Sequence, residues 1–168
     1  MSRHGLLSAA RRTARGVSLL VVGVAVWLTG FAVEASATVR INQGMFGISL
    51  GQSETHVRHK LGRPDSISHD RKHHYTDWYY GRKDLFLTFS GRKQRLDGML
   101  TGNPRERTAN GVGVGSTEAQ VTTGVRHASC EANPPGQGRV CMVESPHAFT
   151  IFGLDNGTTV GHVFIASG

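Results

Sequence analysis

The sequence predicts an α+β fold in which two tandem units each contain a short helix followed by a three-stranded antiparallel meander, with the helices packed on one sheet face. A helix-start pattern occurs at residues 47–57 and again at residues 111–121, and three strand-like runs follow each occurrence. Glycine supplies 22 of the 168 residues. Its usual share is about 7%, so this composition favours many turns and short strands over a helical bundle.

The first 37 residues have the organisation of a secretory signal. Residues 1–16 contain four arginines and no acidic residue, and residues 17–33 form an uncharged apolar run. Ala35, Ser36 and Ala37 then supply the small-x-small pattern of a signal-peptidase site. We therefore expect cleavage between Ala37 and Thr38 and a secreted, periplasmic or cell-envelope protein. The alternative is an uncleaved N-terminal anchor.

The two predicted helices begin with the same capping chemistry. Ser53 and Thr117 are the predicted N-caps, because a hydroxyl oxygen there accepts a hydrogen bond from an otherwise free backbone N–H group. Glu54 and Glu118 follow in the first turn, where the helix dipole favours an acidic side chain. The apolar pairs that bury one face of each helix are Val57 with Leu61 and Val121 with Val125.

Turn-forming residues separate the strand-like runs of each unit. The runs are Tyr75–Tyr80, Leu85–Ser90 and Gln94–Leu100 in the first unit, and Arg139–Glu144, Ala148–Gly153 and Thr159–Ala166 in the second. A polar segment that contains a proline lies between the two sets. These patterns predict three regions: a signal peptide at 1–37, a first unit at 38–104 and a second unit at 105–168.

Cys130 and Cys141 are the two cysteines of the chain. An even number of cysteines in an exported protein is most simply explained by one disulfide. The intervening segment is rich in turn-forming residues, and a bond between the two cysteines would restrict it. The sequence therefore predicts a Cys130–Cys141 disulfide in the second unit.

No catalytic set emerges from the sequence. Residues 47–51 match the G-x-S-x-G pattern of a hydrolase nucleophile, with Ser49 at its centre. The second occurrence of the helix-start pattern has Gly113 at the matching position, so the pattern does not need a hydroxyl. Residues 111–117 look like a phosphate-binding loop but lack its lysine. We therefore expect a non-enzymatic protein without a cofactor, in a chain too short for a TIM barrel.

The run at residues 75–80 carries the most informative aromatic side chains. Strand alternation places Trp78 and Tyr80 on one face, which we expect to be core, and Tyr75 and Tyr79 on the other. Exposed aromatic residues beside basic residues are typical of protein-binding hot spots. The predicted partner-binding residues are Tyr75, Tyr79, Phe86, Arg82 and Lys83. Ordinary cross-strand packing is the alternative explanation for these aromatic residues.

Charge is distributed unevenly along the mature chain. Residues 38–107 contain 13 basic and 7 acidic residues, whereas residues 108–168 contain 2 and 4. The first unit is therefore a candidate for weak contact with an anionic surface, and a simply solvated basic surface is the alternative. Because the chain is predicted to be exported, we do not expect a nucleic-acid partner.

A histidine cluster gives an alternative function, metal binding. The five residues are His56, His59, His69, His73 and His74. Imidazole and carboxylate groups are ligands for zinc, copper and nickel, and several aspartates lie near these histidines in the sequence. The spacing matches no standard metal site, so exposed polar residues around a loop are the competing explanation.

The order of these motifs resembles that of a known family. The string G-x-x-x-G-x-S/T-E-x-x-V, the helix stop at residues 62–64 and the strand containing residues 78–80 resemble the SmpA/OmlA (BamE-like) family. The tandem arrangement is similar to β-lactamase inhibitory protein-like domains. The resemblance implies an exported, non-catalytic module that binds a protein in the cell envelope or secreted space. The lipid-bearing cysteine of that family is missing here.

Overall fold

A computed structural model describes residues 38–132, 138–155 and 157–168. These residues form one antiparallel sheet of eight strands in the order β1-β2-β3-β4-β8-β7-β6-β5, with two short helices. The helices are α1 (Glu54–Leu61) and α2 (Glu118–Gly124). The strands are β1 (Ser66–Asp70), β2 (Tyr75–Tyr80), β3 (Leu85–Ser90), β4 (Arg95–Thr101), β5 (Ser129–Ala132), β6 (Arg139–Ser145), β7 (Ala148–Leu154) and β8 (His162–Ser167). The predicted signal peptide at 1–37 lies outside the described residues.

The predicted fold class is wrong. The structure is mostly β, and its single sheet replaces the two tandem helix-plus-meander units of the prediction. β4 pairs with β8, from Gly98 opposite Ala166 to Thr101 opposite Val163. This pairing joins β1–β4 and β5–β8 into one sheet. A three-stranded sheet by itself would expose two unpaired edges and bury little core, and this pairing removes one edge from each half. The predicted division at residue 104 falls in the connection between β4 and α2 and stays a prediction.

Both predicted helices are confirmed with their capping chemistry. The Ser53 side chain accepts a hydrogen bond from the His56 N–H at 3.3 Å. Thr117 accepts one from the Gln120 N–H at 3.2 Å, and the Gln120 side chain accepts one from the Thr117 N–H at 2.9 Å. The second pair is a complete capping box, which satisfies two N–H groups that a helix start leaves without partners.

The six predicted strand-like runs correspond to β2, β3, β4, β6, β7 and β8, with small shifts at their ends. The two remaining strands, β1 and β5, were missed because neither alternates between apolar and polar residues. All five residues of β1 are exposed, and only Cys130 of β5 is even half-buried. Both are edge strands, held by backbone pairing to β2 and β6 more than by burial of their side chains.

One face of the sheet carries the core. The fully buried side chains on it include Trp78, Leu87, Phe89, Phe152 and Ile165. The layer above this face is largely loop, because each helix contributes only one buried residue, Val57 in α1 and Val121 in α2. Met45 and Ile48 from the loop before α1 are fully buried as well. The layer that covers the core face therefore combines the two short helices with the loops around them.

One hydrogen bond and one cation–π contact attach α1 and the residue after it to β2. The Tyr80 hydroxyl on β2 donates to the Gly62 carbonyl at 3.0 Å, just beyond the end of α1. The Arg58 guanidinium of α1 lies 4.9 Å from the centre of the Trp78 ring, within cation–π range.

Both helices of the described residues are too short to span a bilayer, and neither has a sufficiently apolar run.

The predicted disulfide is confirmed. Cys130 on β5 and Cys141 on β6 are directly opposite each other in the strand register and are joined by an S–S bond. Cys141 is fully buried in the core, whereas β5 has few other apolar contacts. The disulfide is therefore the main covalent constraint that keeps the β5 edge on the sheet.

Replacing both cysteines by alanine should lower the free energy of unfolding by about 3 kcal/mol, because the unfolded chain regains the entropy of a 12-residue loop. Urea unfolding of the oxidised protein and of the Cys130→Ala, Cys141→Ala variant measures the difference. Alkylation of the unreduced parent protein is the control and should find no free thiol. Equal unfolding midpoints would show that the bond does not stabilise the fold.

A two-point ion pair holds α2 against β6. The Arg139 guanidinium donates to both Glu118 carboxylate oxygens, at 2.7 and 2.8 Å. These hydrogen bonds, together with the positive charge of the guanidinium, lower the pKa of Glu118 from its ordinary value. A carboxylate whose pKa is lower in the folded than in the unfolded state stabilises the fold above its unfolded pKa.

We therefore expect Glu118 to contribute to stability at neutral pH and to lose that contribution as the pH falls through its lowered pKa. Glu118→Gln should reduce stability at pH 7 and flatten the acid side of the stability–pH curve. Thermal unfolding between pH 2 and pH 7 tests this, with Glu131→Gln as the control for an exposed acid on a neighbouring strand. An unchanged acid limb in Glu118→Gln would contradict the role of the ion pair.

Candidate binding face

The sheet face turned away from the helices, here called the open face, carries the predicted aromatic residues. Tyr75, Tyr79 and Phe86 are 43%, 42% and 39% exposed, whereas Trp78 and Tyr80 are buried on the opposite face. The predicted division of the aromatic residues between core and surface is therefore confirmed. That these residues contact a partner stays a prediction.

Strand register extends this surface well beyond the predicted residues. Tyr79 lies opposite Phe86, Phe86 opposite Leu100, and Leu100 opposite Phe164. The register continues from Phe164 to Ile151 and from Ile151 to Met142. These six side chains, one from each of six neighbouring strands, form what we call the apolar row: Tyr79, Phe86, Leu100, Phe164, Ile151 and Met142. At about 4.8 Å per strand the row is about 24 Å long.

Polar or small residues border much of the apolar row. The adjacent cross-strand positions include Asp77, Thr88 and Gly98. The Thr88 hydroxyl donates to Asp77 at 2.9 Å, so that carboxylate already has a partner within the sheet. At β7, Phe149 widens the row, with its ring centre 5.9 Å from that of Phe164. The result is a narrow apolar centre with a polar margin.

The five predicted contact residues do not form one cluster. Arg82 and Lys83 lie in the 3-10 turn at Gly81–Lys83 that follows β2, next to the Tyr79 end of the apolar row. Arg82 is exposed and Lys83 is half-buried. Tyr75 lies on the same face four residues before Tyr79, about 13 Å away along an extended strand. The structure therefore groups Tyr79 with Phe86 and the two basic residues, and separates Tyr75 from them.

The histidine cluster is dispersed over α1, β1 and the β1–β2 turn. His56 and His59 are exposed on α1. The His69 ring lies 3.2 Å from the Thr76 hydroxyl, and the His73 ring lies 2.8 Å from the Asp70 carboxylate. Among the described residues no three histidine, cysteine, aspartate or glutamate side chains form a group that could hold a metal. The metal-binding alternative, which also included His74, gains no geometric support.

The Asp70–His73 contact is local and exposed. Hydrogen bonds from the His73 ring and backbone, with a further one from the Lys72 N–H, lower the pKa of Asp70 from its ordinary value. The carboxylate therefore stays ionised well into the acid range. It serves the turn between β1 and β2 by accepting bonds from that turn's own backbone.

Arginine side chains occupy the two loops that looked catalytic in the sequence. Arg40 donates to the Ser49 hydroxyl at 2.6 Å and to the Ile48 carbonyl at 3.2 Å. Arg107 donates to the carbonyls of Gly111 and Val114, both within 3.0 Å. Ser49 therefore has an arginine as its partner where a hydrolase nucleophile would have a histidine, and the glycine-rich loop is filled by Arg107.

The described residues form several clefts, of which two approach 500 Å³. One, of about 480 Å³, lies at the β1–β2 turn and is called the hairpin cleft. It is lined by His69, Asp70, Arg71, His74, Tyr75, Thr76 and Gln94. The other, of about 500 Å³, lies between residues 39–42, the end of α2 and β6. Residues of the segment 69–76 and Gln94 form the first cleft, whereas the second combines four segments that are distant along the chain, so sequence alone does not predict it.

No family model and no curated protein matches this chain. A DUF4309 family protein from Bacillus subtilis has a similar structure, with 12% identity and a TM-score of 0.50 over 80% of this chain and 90% of that chain. An extracellular protein containing an SCP domain from Bacillus anthracis gives 9% identity and a TM-score of 0.48 over 70% of this chain and 43% of that chain. A cysteine-rich secretory protein from Staphylococcus aureus gives 10% identity and a TM-score of 0.46, over 70% and 44%.

These findings correct the predicted family. The assignment to the SmpA/OmlA family and to β-lactamase inhibitory protein-like domains is wrong, because no family model matches and the structure is similar to that of a DUF4309 protein. The predicted repeat is likewise unsupported. The likeness to the DUF4309 protein shows the fold alone, and this chain spans less than half the length of the other two. The disulfide is consistent with an exported protein.

Proposed function

We propose that this chain is an exported, non-catalytic protein that binds another protein through its open face. The apolar row carries the proposal, because soluble proteins rarely leave a long contiguous apolar strip in water without a use for it. Leu100 in the middle of the row is 38% exposed, and Tyr79 and Phe86 at one end are exposed to a similar degree, whereas Phe164, Ile151 and Met142 are half-buried. The disulfide and the signal-like N-terminal sequence support export.

The shape of the apolar row favours a protein partner. The row is one side chain wide along most of its length and has a polar margin, which is the anatomy of a protein–protein interface core. Aromatic and methionine side chains, both enriched in such cores, supply four of its six members. Each side chain stands on a strand of a continuous sheet, so the surface is formed before the partner arrives and little ordering entropy is lost on binding.

Charge at the Tyr79 end of the row specifies the partner's chemistry further. Arg82 is exposed there, and the Asp65 carboxylate nearby accepts a hydrogen bond from the Gly81 N–H at 2.7 Å. We therefore expect a partner surface that is apolar where it meets the row and acidic where it meets Arg82 and Lys83. Rim charges of this kind mainly raise the association rate.

The test begins with the exported protein and a partner identified by cross-linking and mass spectrometry in the source's extracellular or envelope fraction. Phe86→Ala should weaken binding of the purified partner by about 2 kcal/mol, or roughly 30-fold, because a hot-spot side chain is lost. Arg82→Ala should mainly slow association and reduce its salt dependence. Surface-coupled binding kinetics measure both effects.

Ile67→Ala is the matched control. Ile67 is 40% exposed, as Phe86 is, but it lies opposite Trp78 in register and so on the other face of the sheet. It should leave binding within about twofold of the parent. If Ile67→Ala weakens binding as much as Phe86→Ala, or if neither changes it, the open face is not the binding surface. If sedimentation instead shows dimers that Phe86→Ala dissociates, the occupant is a second copy and the assignment to another protein is wrong.

A further inference from the structure

We propose that two neighbouring turns at one end of the sheet form a binding site for a linear polymer that carries repeated phosphate groups. The turns connect β1 to β2 at residues 71–74 and β3 to β4 at residues 91–94. We call them the basic turns. Their four cationic side chains are Arg71, Lys72, Arg92 and Lys93. This site goes beyond the proposed protein-binding function, because it lies in the turns at the end of the sheet opposite Arg82 and Lys83.

Topology brings the basic turns together. β1, β2, β3 and β4 are consecutive antiparallel neighbours, so the first and third connections leave the sheet at the same end. A hydrogen bond joins the turns directly: Gln94 Nε2 donates to the His74 carbonyl at 3.0 Å and to the Gly91 carbonyl at 2.8 Å. Charges that lie about 20 residues apart in the sequence therefore form one basic surface.

The four cations of the basic turns form no ion pair within the described part of the chain, and they outnumber the one carboxylate beside them, Asp70. The Asp70 carboxylate, at the end of β1, also lines the hairpin cleft, and its charge is directed toward the β1–β2 turn, where it accepts hydrogen bonds from the His73 ring and from the backbone N–H groups of Lys72 and His73. Four cations held on two bonded turns therefore present a focused positive field to an anionic ligand.

The hairpin cleft makes this end of the sheet concave. Its volume is about 480 Å³, and Arg71, His74, Tyr75 and Gln94 line it together with the hydrogen-bonded carboxylate of Asp70. A guanidinium group recognises phosphate oxygens through two parallel N–H···O bonds. The half-exposed Tyr75 ring adds an apolar wall on which the backbone of a polymer can rest.

A polymer fits this site better than a membrane surface does. The residues of the two turns are polar or glycine, so they offer no apolar side chain to insert among lipid acyl chains. A concave cleft accommodates a chain that passes between the turns, whereas a flat bilayer would contact only their tips. Phosphate groups repeated along one chain can occupy several of the four cations at once, which raises the overall affinity.

The experiment titrates the exported protein with long-chain inorganic polyphosphate at several salt concentrations. Arg71→Gln with Arg92→Gln should weaken binding at least tenfold and reduce the slope of log affinity against log salt by about 2, one unit for each lost phosphate contact. Lys72→Gln with Lys93→Gln is a second variant with the same expected direction, in case the first pair disturbs the turns.

The matched control is Arg63→Gln with Arg105→Gln. It removes the same number of exposed arginines from the opposite end of the sheet and should change affinity less than twofold. If both arginine pairs lowered the affinity for polyphosphate equally, the effect would be one of net charge and the proposed site would be wrong. An absence of saturable polyphosphate binding would also overturn it. Vesicles containing phosphatidylglycerol form the second arm: if they bind through the basic turns and polyphosphate does not compete, the ligand is a membrane and the polymer assignment is wrong.

Discussion

The pairing of β4 with β8 is the interaction on which the rest of the structure depends. Four consecutive residue pairs, from Gly98 with Ala166 to Thr101 with Val163, join the strands of the two halves into one sheet. Met99 and Ile165 within this pairing are fully buried, so the core is continuous across the seam. On the other face, Leu100 meets Phe164, and the apolar row crosses the seam without a break.

The asymmetry between the two faces explains why a surface is left available. All of the covering segments, including both helices and the loops that contain Met45 and Val112, lie over the core face. The loop before α1 is anchored deep in that layer, since the Asn42 N–H donates to the buried Thr150 hydroxyl at 2.7 Å. No described segment of the chain covers the open face. The exposed apolar side chains on it, such as Phe86 and Leu100, are therefore in contact with water.

Local features of this fold were predictable from sequence, and long-range register was not. Capping residues such as Ser53 and Thr117, and the alternation around Trp78, act over a few residues, so the helices, six strands and the burial of the aromatic side chains could be predicted. Leu100 and Phe164 meet only because β4 pairs with β8, and no local pattern specifies that pairing. A register shift between Thr88 and Phe89 also breaks the alternation of β4. The family assignment failed for a related reason: helix caps and glycine turns occur in many folds.

The most direct test of this account is a nuclear magnetic resonance measurement of contacts across the β4–β8 seam. The account predicts cross-strand nuclear Overhauser effects from the Leu100 methyl groups to both the Phe86 and the Phe164 ring protons, and slow exchange of the β4 amide protons bonded to β8. If the Leu100–Phe164 effects were absent and β4 amide protons exchanged as those of an edge strand do, the single sheet and its apolar row would be contradicted.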